Sequence, residues 1–122
     1  MGKFELTESG NLMTIQQGAT FSLSVNYKNS AGSTVNLSSG YTARMMGRTS
    51  HTESSTIFSL TNSSGITLGS SDPNIVITIA ATATDDYTAP LSGVYDLELV
   101  DSSSNVYRIL EGNFEITPEV TR

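Results

Sequence analysis

The most regular feature of the chain is a two-residue alternation of apolar and polar side chains. From Thr20 to Lys28 it places Phe21, Leu23, Val25 and Tyr27 on one side and Ser22, Ser24, Asn26 and Lys28 on the other. That period predicts a strand with one buried and one wet face. Tyr41 to Thr49 repeats the pattern, with Tyr41, Ala43 and Met45 facing one way and Thr42, Arg44 and Met46 the other. Gly47 breaks the alternation and predicts a bulge. Gly93 to Val100 sets Tyr95, Leu97 and Leu99 against Asp96 and Glu98. Shorter strands are predicted at Thr34 to Leu37, Ser55 to Thr61, Ile66 to Leu68 and Ile75 to Ile79. A last pair runs from Val106 to Leu110 and from Asn113 to Ile116, parted by an interruption at Glu111-Gly112.

Turn residues punctuate these segments. Asn29-Ser30-Ala31-Gly32-Ser33, Ser38-Ser39-Gly40, Asn62-Ser63-Ser64-Gly65 and Asp101-Ser102-Ser103-Ser104-Asn105 supply the short polar side chains and glycines that tight turns need. The stretch from Thr49 to Ser55 reads as a polar loop. Ala80 to Asp86 has room for one helical turn, and Thr82 with Asp85 has the spacing of a capping box. Seven to nine short strands, with a turn signal about every 8–12 residues, predict a β-sandwich or barrel. Within Gly93-Val94-Tyr95-Asp96-Leu97, a tyrosine stands two residues before an apolar one, which is the spacing of the tyrosine corner in immunoglobulin-like sandwiches. An ordinary buried tyrosine on a strand has the same spacing, so both readings stand. The fold class expected is all-β, an immunoglobulin-like sandwich of seven to nine antiparallel strands.

A chain of 122 residues is long enough for one core. The expected organisation is a polar amino-terminal arm at 1–11 and a single sandwich domain at 12–122. Composition strengthens the strand reading. Ser and Thr number 35, whereas Lys occurs only at positions 3 and 28. The net charge of −6 argues against nucleic-acid and anionic-membrane partners, both of which require a basic surplus. From Asp85 to Glu119 there are eight acidic residues against Arg108 alone, either a solvated face or a face that meets a basic partner. With no cysteine there is neither a disulfide nor a thiolate metal site. No apolar run approaches the roughly 20 residues of a membrane helix. The segment Met1-Gly2-Lys3-Phe4-Glu5 lacks the apolar stretch of a secretion signal, so any export is expected by another route, such as inside an assembled particle.

Candidate chemistry is sparse. His51, the one histidine, stands between Ser50 and Thr52 in the polar loop, where a solvated role is expected rather than a nucleophilic triad. A histidine-based zinc site needs more nitrogen or sulfur ligands than the chain has. Asp96 and Glu98 share a strand face, with Glu111 expected opposite on the neighbouring strand. Such carboxylates could hold calcium or exchange protons, and Arg108 is their expected ion-pair partner across the hairpin. Asp85-Asp86 is a weaker calcium candidate, since the dense Asp/Asn/Gly run of a calcium loop is absent. Asn36-Leu37-Ser38 and Asn62-Ser63-Ser64 have glycosylation spacing that a serine-rich chain reaches by chance. Met46 is expected to point outward, opposite to Met45, as part of a contact surface. No catalytic, cofactor-binding or metal-binding residue is expected.

Two stretches resemble small immunoglobulin-like structural proteins of tailed bacteriophages, such as the amino-terminal domain of baseplate upper proteins. The first runs Ile15-Gln16-Gln17-Gly18-Ala19-Thr20-Phe21 through Tyr27-Lys28 and the Gly32 turn to Gly40-Tyr41-Thr42-Ala43-Arg44-Met45. The second is Gly93-Val94-Tyr95-Asp96-Leu97-Glu98-Leu99, then Val106 to Gly112 and Pro118-Glu119-Val120-Thr121-Arg122. Ser38-Ser39-Gly40 replaces the apolar-Thr-Gly usual in that family. The resemblance implies a virion protein, a capsid decoration (cement) protein or a tail or baseplate component. It would contact other virion proteins in symmetric multiple copies. The polar arm, about Met1 to Asn11, is long enough to reach a neighbour and is expected to order only on the particle. A carbohydrate- or host-surface-binding adhesion module is the alternative, although the chain has no Trp and only nine aromatic residues. An enzyme is the least expected reading.

Overall fold

The computed structural model describes residues 3–6 and 12–121. Its elements are β1 (Lys3–Leu6), β2 (Met13–Gln16), β3 (Phe21–Lys28), β4 (Thr42–Arg48), β5 (Phe58–Thr61), β6 (Ile66–Leu68), β7 (Ile75–Ile79), α1 (Ala81–Thr84), β8 (Leu91–Val100) and β9 (Val106–Thr117). They form a four-stranded sheet in the order β1-β3-β7-β6 and a five-stranded sheet in the order β2-β9-β8-β4-β5. These orders are those of an immunoglobulin-like sandwich: a split first strand shared between the sheets, then B-E-D on one side and G-F-C-C′ on the other. Every named pair is antiparallel except β2 with β9, where Met13–Gln16 runs parallel to Phe114–Thr117.

Alternation places the core as expected. Phe21, Leu23, Val25 and Tyr27 of β3 are buried, with Ile75, Ile77 and Ile79 of β7 beside them. The other sheet contributes Ala43, Met45, Phe58, Leu60, Tyr95, Leu97, Leu99, Phe114 and Ile116. Each large apolar side chain removed from water stabilises the fold by roughly 1.5–3 kcal/mol. Leu97 is fully buried opposite Met45. With no disulfide, packed aliphatic side chains hold the sheets together.

Two glycines make room for the aromatic centre. Gly47 is not a bulge: it pairs in unbroken register with Phe58 on one side and Tyr95 on the other. A β-carbon there would land on the Phe58 ring. Gly93 lies opposite Phe114, and its β-carbon would meet the Arg48 carbonyl oxygen and the Phe114 ring. The two rings so accommodated pack edge to face at 5.2 Å.

Three other expectations are corrected. Glu111-Gly112 does not interrupt the last strand, because β9 is continuous and the irregularity lies at Ile109. There the register moves from Leu97↔Leu110 to Glu98↔Arg108, so Ile109 and Leu110 oppose one position of β8 and both are buried. Thr34–Leu37 is not a strand; it makes a single bridge, Lys28↔Thr34. The Thr82–Asp85 capping box does not form, since α1 begins after Ala80 without a side-chain cap and Asp85 stands at its carboxyl end.

Two fully buried polar side chains replace missing backbone pairing. Asn74 accepts from the Tyr27 N–H and donates to the Tyr27 and Val35 carbonyls, each at 2.8 Å. It thereby does for 34–37 what a sheet ladder would. The Thr84 hydroxyl accepts from the Gly18 N–H at 2.9 Å and faces the Ala19 and Ala81 carbonyls, tying α1 to the turn after β2. Gln17 extends that tie, donating to the Tyr87 carbonyl and accepting from the Glu119 N–H. Of the arm expected at 1–11, Lys3–Leu6 is a strand along Lys28–Val25 of β3, and the rest lies outside the described residues.

Candidate functional site

The outward side chains of β4, β8 and β9 gather a cluster of charged groups on one surface. Alternation dictates this: with Met45, Leu97 and Leu110 inside, Arg44, Asp96, Glu98, Arg108 and Glu111 must point out. Register then decides who meets whom. Arg44 lies opposite Glu98, Glu98 opposite Arg108, and Asp96 opposite Glu111. The Arg44 Nε donates to Glu98 Oε1 at 2.7 Å. Arg108 reaches Asp96 at 3.5 Å and Glu111 at 3.2 Å. The three expected carboxylates are therefore brought together, interleaved with two guanidinium groups.

Arg48 turns the other way. Its guanidinium donates to the Glu53 and Ser54 carbonyls at 3.2 and 2.6 Å, pinning the 49–55 loop, and lies 3.5 Å from the Met46 sulfur. A depression of about 600 Å³ opens between this loop and β9, lined among others by Met46, Arg48, His51, Asp96, Arg108 and Asn113. Met46 does face outward, half-buried in the wall. Burial pushes the Asp96 carboxyl above its ordinary value, helped by the neighbouring Glu98 and Glu111 charges and opposed by Arg108 and Arg44. Asp96 is thus an acid at the edge of the hollow whose upward shift Arg108 only partly offsets.

His51 sits exposed on the rim. The hydroxyls on either side of it, Ser50 and Thr52, lie 3.4 Å from each other. Asp85 and Asp86 are exposed beside α1, and among the described residues no three His, Asp or Glu side chains converge as a metal site. Both sequon asparagines shape turns. Asn36 accepts from the Ser38 N–H and hydroxyl, and Asn62 accepts from the Ala43 N–H, extending the β4–β5 ladder. Tyr95 is buried two residues before the fully buried Leu97, and desolvation raises its phenol to about 12.

At one end of this surface, the β8–β9 hairpin tip is organised by Asp101. Its carboxylate accepts from the Ser103 and Asn105 N–H groups, each at 2.9 Å, from the Asn105 amide and from the Tyr107 hydroxyl. The Asn105 N–H leads in holding Asp101 below its usual range, and the same acid raises the Tyr107 phenol. The sequence reading passed over Arg44 and Arg48 as site residues. The signal for Arg44 was present in its wet-face position on a strand next to one bearing Glu98.

No family model and no curated protein matches the chain. Its architecture is similar to solved structures. One is a chain from work on T cell specificity and activation by the bacterial superantigen toxic shock syndrome toxin-1. It shares 9% identity at a TM-score of 0.52, covering 95% of this chain and 99% of that one. Another is murine CRIg, at 13% identity and a TM-score of 0.46, covering 98% and 100%. The likeness is one of fold: the chain is an all-β, immunoglobulin-like sandwich.

Proposed function

We propose that this chain is a non-catalytic structural module of a tailed-bacteriophage particle, attached to the capsid or to the tail and baseplate. In that role it would be a decoration or accessory protein, present in symmetric multiple copies and localised to the virion. The observation that carries the reading is the outer face of β4, β8 and β9. Its acids and arginines are interlocked with one another across three strands, which makes a broad polar surface of the kind that rims a protein contact. The hydroxyl-rich exterior and the sequence resemblance to phage immunoglobulin-like proteins point the same way.

The test is to purify particles from infected cells and quantify the chain against the major capsid protein. A fixed, symmetry-related copy number supports the role, and recovery only as free protein rejects it. Charge reversal at Arg44 together with Arg108 should reduce particle occupancy without unfolding the domain. Binding to a glycan panel, with no particle association, would favour an adhesion module instead.

A further inference from the structure

The five-stranded sheet has one open stretch of edge. β9 pairs with β8 from Val106 to Ile116, but on its other side β2 covers only Phe114–Thr117. Among the described residues no strand lies beyond Val106–Asn113. Such an edge offers a row of N–H and C=O groups to an incoming strand.

The order of side chains along this edge reads the same from either end. Outward stand Val106, Arg108, Glu111 and Asn113, and inward lie Tyr107, Ile109, Leu110 and Gly112. The bulge creates this symmetry. By placing Ile109 and Leu110 both inward, it shifts the alternation at the midpoint. A two-fold axis there would set Arg108 of one copy against Glu111 of the other, inward residues against inward residues, and Val106 against Asn113. Without the extra residue, an antiparallel pairing in this register would put outward side chains opposite inward ones. The contact is opposite in charge and the same on both copies, as a two-fold interface requires.

A second observation concerns exposed apolar side chains. Leu12 and Val106 are 53% and 50% exposed. Leu12 stands one residue before Met13, which pairs with Phe114, so it marks the place where β2 stops covering β9. A partner β9 lying in the open track would end with its Val106 beside Asn113, at the level where the chain leaves the ladder at Leu12. The two exposed apolar residues would then lie at the same level.

We infer that a second copy of this chain occupies the Val106–Asn113 edge, antiparallel and two-fold related, joining two five-stranded sheets into one. The inference does not depend on the particle role.

Because the chain has no cysteine, disulfide trapping tests the register directly. In the full-length V106C/N113C variant, each new thiol should face its counterpart on the other copy, and mild oxidation should give a covalent dimer on a non-reducing gel. Within one chain the two positions are about 24 Å apart at strand spacing, too far to close on themselves. V106C alone should stay monomeric, since its two copies would be separated by the same length. R108E should weaken association about ten-fold by sedimentation, and R108E/E111R should restore it. A double-cysteine variant that keeps its β circular dichroism but stays monomeric overturns the inference. That result would follow if another protein filled the track. Equal crosslinking of V106C and V106C/N113C overturns it as well, because the collision would then have no register.

Discussion

Replacing Asn74 with alanine removes a side chain that serves three backbone groups at once. The Tyr27 N–H and C=O lose their 2.8 Å partners inside the sandwich, where Asn74 is fully buried. The Val35 carbonyl, on a half-buried residue, can turn to water. The Tyr27 C=O keeps the Val35 N–H at 3.2 Å, so one buried donor is stranded at about 1–3 kcal/mol, and with about 1 kcal/mol for the cavity left by the amide Asn74→Ala comes to about 3 kcal/mol. Against a total stability of roughly 5–15 kcal/mol this is a large fraction. With a urea slope of about 1.5 kcal/mol/M, the unfolding midpoint should fall by about 2 M. Asn74→Asp separates hydrogen bonding from packing. Its carboxylate can accept from the Tyr27 N–H but would face two carbonyl oxygens. Burial and those dipoles favour the protonated acid, so its folded pKa is raised above the unfolded value of about 3.9. The sign follows: stability is fully present below that unfolded value and is lost as pH rises through the folded one. Acid should therefore bring Asn74→Asp towards wild type while leaving Asn74→Ala behind. A loss under about 1 kcal/mol for alanine, or the same pH slope in both variants, would refute the bridging role assigned to this side chain.

Other outcomes are open to measurement. Gly93→Ala should cost about 3 kcal/mol and Gly47→Ala less, because the first new methyl meets a backbone carbonyl and the second only a ring; denaturant unfolding gives the order. Glu98→Gln, which breaks the Arg44 pair, should cost about 0.5 kcal/mol at low salt and nothing measurable in molar salt. Carboxyl NMR titration should find Asp101 below and Asp96 above the ordinary aspartate value. Stability linked to Asp101 is then present above its unfolded pKa and lost as pH falls through the folded one. For Asp96 the sign reverses, with stability lost as pH rises through its folded pKa; the opposite order of the two acids would contradict the burial argument. In an alkaline absorbance titration Tyr95 should stay neutral until about pH 12, its contribution to stability disappearing as pH rises from the unfolded value of 10.0.

The central strands were legible because their two faces differ in solvent. β3, β4 and β8 alternate cleanly, and that alone places Phe21, Met45 and Leu97 inside. β2 was not read as a strand in its own right, because the partner that makes Met13–Gln16 a strand lies about a hundred positions away. The bulge at Ile109 was displaced to Glu111-Gly112 because glycine is the usual signal. Here two adjacent aliphatic residues were the better clue, since both can be buried only if the alternation slips. Asn74 and Thr84 looked like turn and helix residues. Their bonds reach 47 and 66 residues along the chain, a distance over which no local pattern operates. The outer face was half legible. Asp96, Glu98, Glu111 and Arg108 follow from the hairpin, whereas the Arg44 contact requires knowing that β4 borders β8.

The parallel run of Met13–Gln16 beside Phe114–Thr117 has a mechanical consequence. A pull applied through the chain ahead of Met13 and behind Thr117 drags these strands lengthwise past each other. Their bonds are then strained together instead of parting one after another from an end. The seam that joins the first strands to the last should resist tension far better than a hairpin opened from its free end. Such a domain could sit in line between two tethers and hold its shape under load.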